Sequence, residues 1–194
     1  MELRKVASKK WLKFLTLLLT AMIIATASAA VYYSLSMEPR ATITDAAVKF
    51  VSGTDWPGES IGVNGTWCVV SLKAYPNATL TYDEPLNLSE TSGSDRQFRL
   101  VHSSITPASG WSTANWTFIN FTIMDESGGA VAGGSFDYYV TGSGASATWQ
   151  TPTMGSDITI PANTMYTIKI ETKAAEGAWL NEVVNIVITV DVTE

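Results

Sequence analysis

Few residues in this chain have the types and spacing that enzyme chemistry needs. His102 is the only histidine and Cys68 the only cysteine, whereas the common zinc sites take several Cys or His ligands. Ser103 and Ser104 follow His102, but a nucleophile and base also need an orienting group and an oxyanion site. We therefore interpret His102 as a solvent-facing residue at a strand end beside a loop. The sequence predicts a protein that is not an enzyme.

Two pairs of adjacent carboxylates offer the remaining chemistry, Asp83-Glu84 and Asp125-Glu126. Neighbouring residues on a strand point to opposite faces, so we place both pairs in solvated turns. Hard cations choose carboxylate and carbonyl oxygens in loops, which leaves a calcium ion open as an alternative. Neither pair matches a known calcium-loop pattern, and the sequence predicts no cofactor otherwise.

The acceptor pattern for N-glycosylation is more frequent than the composition explains. It takes five of the eight asparagines, and we predict glycans there in a host with that machinery. The alternative is coincidence in a Thr-rich β protein, where Asn ends strands and Thr begins them. The five are Asn64, Asn77, Asn87, Asn115 and Asn120.

The first 29 residues have the pattern of a secretion signal. A basic head precedes an uncharged apolar run from Phe14 to Thr26, and Ala27-Ser28-Ala29 is a small-x-small cleavage site. We predict cleavage between Ala29 and Ala30. The alternative is an uncut membrane anchor, because residues 14–37 carry no charge and are long enough to span a bilayer. In either topology the C-terminal part is exported.

Residues 30–40 follow the predicted cleavage site and are patterned like a lone β-strand. Val31, Tyr33, Leu35 and Met37 share one face, and Ser34 and Ser36 lie on the other. A strand with an apolar face at a free chain end must complete a sheet, in its own domain or in a neighbouring one. At about 1.5–3 kcal/mol per buried side chain, the four anchors offer roughly 6–12 kcal/mol before ordering costs.

The remaining residues, 41–194, predict a single all-β domain. Period-two segments recur between turn residues, as in an antiparallel sandwich or jelly roll. Asp125 to Gly129 predicts a hairpin loop, and Lys173 to Asn181 is the one candidate for a helix after the signal. The predicted strands are Val31–Met37, Ala41–Val51, Thr66–Ala74, Thr79–Tyr82, Gln97–Val101, Asn115–Met124, Ala130–Thr141, Ala147–Gln150, Asp157–Ile160, Met165–Thr172 and Glu182–Val192.

Charge restricts the partners of this domain. Without the signal the chain keeps seven basic and seventeen acidic residues, a net charge near −10. Nucleic acid and anionic lipid would require basic patches, so neither is expected as a partner of the mature protein. Contact with a membrane is expected only before signal cleavage.

The tryptophans allow two interpretations. Trp67 and Trp116 alternate with apolar neighbours on predicted strands, which predicts core positions. Trp56, Trp111 and Trp179 lie in loops, where an indole can bind a sugar ring or be buried by another subunit. A sugar-binding module would present exposed tryptophans together on one sheet face.

These features together resemble TasA/camelysin-type fibre proteins and the archaeal bundling pilins. The resemblance rests on the signal, the alternating strand behind it, Ala41-Thr42-Ile43-Thr44-Asp45, and the Pro-Ala-Asn turn at Pro161 to Asn163. It implies a secreted jelly roll whose N-terminal strand is donated to the next copy, giving a head-to-tail filament for adhesion or a biofilm matrix. The alternatives are a membrane-anchored surface domain or S-layer-associated protein and, less favoured, a sugar-binding module. A type IV pilin fits poorly, because Lys13 would interrupt its packing helix.

Overall fold

The computed structural model describes residues 10–20, 45–55, 60–152, 154–179 and 181–193. The chain divides into two compact units, Met1–Ile43 and Thr44–Glu194. Of the first unit, residues 10–20 form a helix, α1, with exposed side chains. Within the described ranges, no helix is long and apolar enough to cross a membrane.

The second unit is all-β and consists of two antiparallel sheets. The larger has the order β1-β3-β9-β5-β6-β7 and the smaller the order β2-β10-β4-β8. A one-turn helix, α2 (Trp111–Ala114), precedes β5, and a 3-10 turn (Gly144–Ser146) precedes β7. The strands are β1 (Val48–Ser52), β2 (Trp67–Leu72), β3 (Thr79–Glu90), β4 (Arg96–Thr106), β5 (Trp116–Met124), β6 (Ala130–Thr141), β7 (Thr148–Gln150), β8 (Ile158–Ile160), β9 (Met165–Ala174) and β10 (Val184–Thr193).

Alternation of apolar residues produces the core between the two sheets. Ile186, Ile188 and Val190 of β10 are buried, and so are Ile168 and Ile170 of β9 in the other sheet. All belong to one apolar cluster, so the buried faces of both sheets form a single core. The period-two pattern therefore predicts the fold class correctly as all-β, with two antiparallel sheets.

Two predicted strands are longer in the structure because bulges interrupt their alternation. β3 continues past Tyr82 through a bulge at residues 83–85, where its register against β9 shifts. β4 continues past Val101 because Ser103 is an extra residue opposite Val187 and Ile188. A bulge leaves a residue unpaired and changes which face the following side chains occupy. A strict period-two pattern ends at such points, so the sequence-based bounds were too short.

The connection between β9 and β10 corrects the prediction of a helix at Lys173 to Asn181. Lys173 and Ala174 belong to β9, and the described residues that follow form turns. Gly177 has φ of +76°, a left-handed conformation that ends regular structure. The predicted hairpin loop, in contrast, is confirmed: Asp125 Oδ1 accepts the backbone N–H of Ser127 and of Gly129, each at 2.9 Å.

Candidate functional site

The predicted donor strand lies outside the described residues. This holds for the four anchors Val31, Tyr33, Leu35 and Met37 and for the cleavage site between Ala29 and Ala30. What the structure does describe is the set of sheet edges on which a donated strand could pair. Unpaired N–H and C=O groups on an edge strand are a template for another strand.

The edges formed by β1 and β2 are partly covered by the chain itself. The Phe50 N–H of β1 donates to the Gly65 carbonyl at 2.7 Å. On β2, the Val69 N–H donates to the Ser60 carbonyl at 3.0 Å, and the Trp67 carbonyl accepts the Gly62 N–H at 2.9 Å. Both strands therefore have part of their hydrogen-bonding capacity already in use.

The edge at β6 is open over most of its length. β7 pairs only with Tyr139, Val140 and Thr141 at the end of β6. Residues 135–138 have no strand on that side among the residues that the structure describes. Residues 131–134 form a bulge, because Ser135 lies opposite Thr122 and Ala130 opposite Met124. A donated strand would therefore find its longest free stretch from Ser135 to Tyr138.

An apolar seam runs beside this open edge, where β6 approaches β8 of the smaller sheet. β8 pairs with β4 alone among the named strands. Phe136 and Tyr138 point inward and are buried, while Ser135 and Asp137 are exposed. The seam is lined by Leu100, Ile123, Phe136 and Ile158, together with glycines at 133, 134 and 155.

Asp137 is the only charged residue of β6 and lies at its open edge. Partial burial raises the pKa of this carboxyl. Across the larger sheet it is paired with Asn120, which is paired in turn with Glu171. A charge on an edge strand opposes uncontrolled strand addition, so Asp137 restricts which strand can pair here.

The five glycosylation asparagines differ in exposure. Asn64 and Asn77 are exposed, and Asn120 is half-buried on the outer face of the larger sheet. Asn87 and Asn115 are only 3% and 8% exposed. Asn87 Nδ2, the atom to which a glycan would be attached, donates to Glu84 Oε1 at 3.0 Å. The fold therefore accommodates glycans at Asn64, Asn77 and Asn120, but not at Asn87 or Asn115 without rearrangement.

The two carboxylate pairs come together in a way that the sequence did not predict. Asp83 and Glu84 lie in the β3 bulge rather than in a turn, whereas Asp125 and Glu126 lie in the hairpin loop as predicted. All four line one open groove, together with Lys169. Over the described ranges, no three Asp, Glu, His or Cys side chains are grouped as metal ligands. Two of the carboxylates already serve the fold: Asp125 accepts its loop N–H groups, and Glu84 accepts from Asn87 and Thr54.

The structure corrects the prediction that His102 is a solvent-facing residue at a strand end beside a loop. It lies within β4, half-buried, and Nδ1 is 3.1 Å from the hydroxyl of the fully buried Tyr138. Burial lowers the pKa of His102 and raises that of Tyr138. Because Ser103 is the bulge residue, His102 keeps the inward direction of Phe98 and Leu100. Tyr138 is 36 residues from His102 in the sequence, so the pairing gave no local signal.

The tryptophans are distributed over several elements. Trp116 is buried as predicted, but Trp67 is 39% exposed, which corrects its assignment to the core. Trp111 and Trp179 are 62% and 59% exposed, in α2 and in the β9–β10 connection. Trp56 lies outside the described residues. Among the residues of the second unit that the structure describes, the exposed indoles do not share one sheet face.

Sequence reasoning missed Glu90, a carboxylate that is only 3% exposed at the end of β3. Its oxygens accept backbone N–H groups from Ser92 at 2.6 Å, Asn163 at 2.8 Å and Gly93 at 3.1 Å. Burial alone would raise the pKa of Glu90, but the hydrogen bonds from Ser92, Asn163 and Gly93 outweigh it and lower the pKa to about 2. Glu90 thus joins the β3–β4 loop to the Pro161–Thr164 turn.

Comparison with known proteins adds no family to this description: no family model matches the chain, and no curated protein matches it as a relative.

Proposed function

We propose that the chain is a secreted structural subunit of an extracellular filament or pilus, serving adhesion or a biofilm matrix. In this proposal residues 30–40 of one mature copy pair with β6 of the next. The contact is head-to-tail, so it propagates as an open filament rather than closing as a dimer. The mature chain has no membrane contact in the assembled state and no nucleic acid partner.

The open edge of β6 is the observation that carries the proposal. Residues 135–138 offer main-chain groups to a new strand, and the adjacent seam to β8 is lined by apolar side chains and glycines. The predicted donor has the complementary pattern, with apolar anchors on one face and serines on the other. The seam beside Phe136 is closed, so its residues would have to separate to admit the inward face of the donor, and the outward serines would lie near Asp137.

We also propose that the domain is a jelly roll. The smaller sheet has the order β2-β10-β4-β8, and the larger sheet contains the run β3-β9-β5-β6. This supports a jelly roll, because each set of four strands is antiparallel and the chain returns to it by crossing between layers. β1 and β7 are then additions at the edges of the second sheet. In such a fold β6 and β8 lie at the same side of the two sheets, and the donor is proposed to enter there, on the part of β6 that β7 does not cover.

Cysteine cross-linking in the mature chain tests the acceptor assignment. Cys68 is fully buried and burial raises its pKa, so the native thiol does not compete. The test variant combines Ser34→Cys on the outward face of the donor with Asp137→Cys on β6. Side chains opposite each other on neighbouring strands have Cβ atoms about 4.5–5.5 Å apart, close enough for a disulfide after small adjustment. The matched control combines Ser34→Cys with Val51→Cys, an exposed position on β1 at the other edge of the same sheet.

The proposal expects a ladder of disulfide-linked oligomers on non-reducing gels for Asp137→Cys and none for Val51→Cys. A ladder from the Val51→Cys control alone would assign the donor to the other edge and overturn the role of β6. An internal disulfide confined to monomers would show that each chain fills its own edge, which refutes the filament. N-terminal sequencing of protein from cells gives a separate check: a start at Ala30 is expected, and an intact leader would favour the anchored surface domain.

A further inference from the structure

Residues 154–157 lead into β8 and form a strap over the seam between β6 and β8. Met154 lies opposite Val101 of β4, and the Gly155 N–H donates to the Leu100 carbonyl at 2.8 Å. Among the described residues that line it, the seam leaves no space for a water molecule. The strap therefore closes the seam and takes up main-chain groups of β4 beside it.

The contact between the strap and β6 has a glycine on either side. A Cβ built on Gly133, in the β6 bulge, would lie 3.0 Å from Ser156 Cβ, and a Cβ built on Gly155 would lie 3.6 Å from the Phe136 ring. The two segments are in close contact where neither glycine has a side chain to interlock with the other segment. Because few side-chain atoms meet there, the dispersion attraction between the strap and β6 is small.

The side chains of the strap contribute little to the core. Met154 is 50% exposed, and Ser156 and Asp157 are exposed as well. None of these described residues belongs to the apolar cluster between the sheets. Displacement of the strap would therefore take none of its own side chains out of the core.

One ion pair adds to the attachment of the strap, and it is weak. Arg99 Nη1 lies 3.8 Å from Asp157 Oδ1, whereas Arg99 Nη2 donates to Asp191 Oδ2 at 2.7 Å. Ion pairs between exposed side chains contribute little to stability. Arg99 would also keep its shorter partner, Asp191, when the strap moves.

The strap covers groups that a donated strand would use. Leu100 and Phe136 are each 2% exposed, and Ile158 is 4% exposed. Residues 135–138 of β6 have main-chain groups free for a new strand, but the closed seam beside them offers no room for its apolar side chains. The donor anchors can be buried only after the walls of the seam separate.

We infer that the strap keeps the acceptor closed in the free subunit and leaves β4 when a strand is donated. This inference rests on the proposed filament, and it names what controls access to the acceptor. On donation the Gly155 N–H leaves the Leu100 carbonyl, and the donor anchors enter beside Phe136. Until then the strap keeps the apolar seam away from water and from unrelated strands.

A disulfide across the strap tests this inference. Val101 and Met154 are opposite residues, and the hydrogen bond between the strap and β4 flanks this pair, an arrangement that brings Cα atoms to about 4.5 Å. Val101→Cys combined with Met154→Cys therefore locks the strap to β4 when oxidised and releases it when reduced. The matched control combines Thr141→Cys with Thr148→Cys, on β6 and β7 outside the strap, where the native hydroxyls are 3.4 Å apart.

Each mature variant is refolded with reductant at low concentration, oxidised or kept reduced, and then concentrated. Sedimentation and electron microscopy measure the filaments. The oxidised strap variant should give at least tenfold fewer filaments than its reduced form, whereas the oxidised control should match its own reduced form. Cooperative thermal unfolding of the oxidised strap variant, at or above the temperature of the reduced form, establishes that the lock preserves the fold.

Mixing with wild type separates the acceptor from the donor. A locked chain keeps its own donor strand, so it should cap wild-type filaments and shorten them at equal amounts. Wild-type filaments of unchanged length would assign the loss to something other than the acceptor and overturn the inference. Normal filaments from the oxidised strap variant would also overturn the strap, but would leave pairing at β6 intact.

Hydrogen exchange in the wild-type chain measures the movement directly. The Gly155 amide should exchange at least tenfold faster in filaments than in monomers, because it loses the Leu100 carbonyl. Equal exchange in both states would overturn the strap while the filament stands. Absence of filaments from wild type and from the reduced variants alike would refute the filament itself, and the strap with it.

Discussion

Asn115 Oδ1 accepts the backbone N–H of Trp179 at 3.1 Å, across 64 residues of sequence. The same asparagine also accepts the Ala175 N–H on its own carbonyl at 2.8 Å. Asn115 therefore joins the start of β5 to the β9–β10 connection twice. It fixes the main chain at the exposed Trp179, and its own amide nitrogen, Nδ2, is buried with no hydrogen-bond partner among the described residues.

Replacement of Asn115 by Ala should destabilise the fold by about 1–3 kcal/mol, because the Trp179 N–H loses its acceptor in a partly buried place. Urea unfolding at pH 7 measures the change. Asn185→Ala is the matched control: its side chain bonds Ser71 at the exposed surface, so its effect should stay within about 0.5 kcal/mol. Equal effects of the two substitutions would contradict the structural role of Asn115.

The sequence pattern predicts Asn115 as one of five glycosylation acceptors and not as a buried structural residue. The pattern carries no information on burial, and burial here depends on the β9–β10 connection folding over the start of β5. The register of β5 against β9 shifts at a bulge at Thr117. The alternation of inward and outward side chains changes there, so the exposure of Asn115 cannot be counted from the residues that follow. Strand identity was predictable from local alternation, whereas the burial of Asn115 depends on segments far apart in sequence.

Glycan mapping in a host that modifies Asn-x-Ser/Thr should distinguish the exposed asparagines from the buried ones. We expect occupancy at the exposed Asn64 and Asn77, and none at Asn87 or Asn115 in folded, secreted protein. Asn64 is well placed, because Thr66 donates to its Oδ1 at 2.9 Å and Nδ2 remains accessible. Peptide mass spectrometry measures occupancy, with Thr66→Ala as the control that should remove only the Asn64 glycan. A glycan on Asn87 in folded material would be incompatible with its bond to Glu84.

Donor-strand assembly should depend on the face of residues 31–37 that is altered. Leu35→Asp puts a charge on the apolar face, where it would have to be buried in the acceptor, so secreted and folded monomers are expected. Tyr33→Asp should have the same effect. Ser36→Lys also adds a charge, but to the opposite face and of the sign that Asp137 attracts, so it should leave filaments visible by electron microscopy. Unaltered filaments in both Leu35→Asp and Tyr33→Asp would refute strand donation.

Glu90 should make the free energy of unfolding depend on pH in the acidic range. The pKa of Glu90 is about 2 in the fold, below about 4.3 in an unfolded chain. A carboxyl whose pKa is lower in the fold than in the unfolded chain stabilises the folded protein at pH values above its unfolded pKa. This stabilisation is lost as pH falls from about 4.3 towards 2. Glu90→Gln should therefore cost about 1–3 kcal/mol at pH 7, because a neutral amide cannot accept every N–H that the carboxylate accepts.

The measurement for Glu90 is urea unfolding of both proteins at pH 7, 5, 3 and 2. The difference between wild type and Glu90→Gln should shrink as pH falls below about 4, since protonation of Glu90 removes the advantage of the wild type. Glu176→Gln, at an exposed turn residue, is the control and should show no such change. A difference that stays constant over the whole range would contradict the assignment.

The exposure of His102 was predicted wrongly for the same reason, because local alternation carries no information on packing between the sheets. Alternation ends at the Ser103 bulge, so the sequence suggested a strand end and an exposed ring. The inward direction of His102 and its contact with Tyr138 depend on the packing of β4 of one sheet against β6 of the other. Inter-sheet pairs of this kind have no sequence spacing of their own.

His102 should give the protein a second pH dependence, in the near-neutral range. Burial lowers its pKa in the fold, whereas an unfolded chain titrates near about 6.5. Below that value the unfolded chain binds more protons, so stability should be complete above about pH 6.5 and should fall as pH drops towards the lowered folded pKa. Because His102 is the only histidine, His102→Gln should flatten the unfolding free energy between pH 5.5 and 7.5. Tyr138→Phe keeps the histidine and should retain the slope while lowering stability at every pH, because Nδ1 loses its partner. A slope that survives in His102→Gln would assign the titration to another group and contradict the burial of this ring.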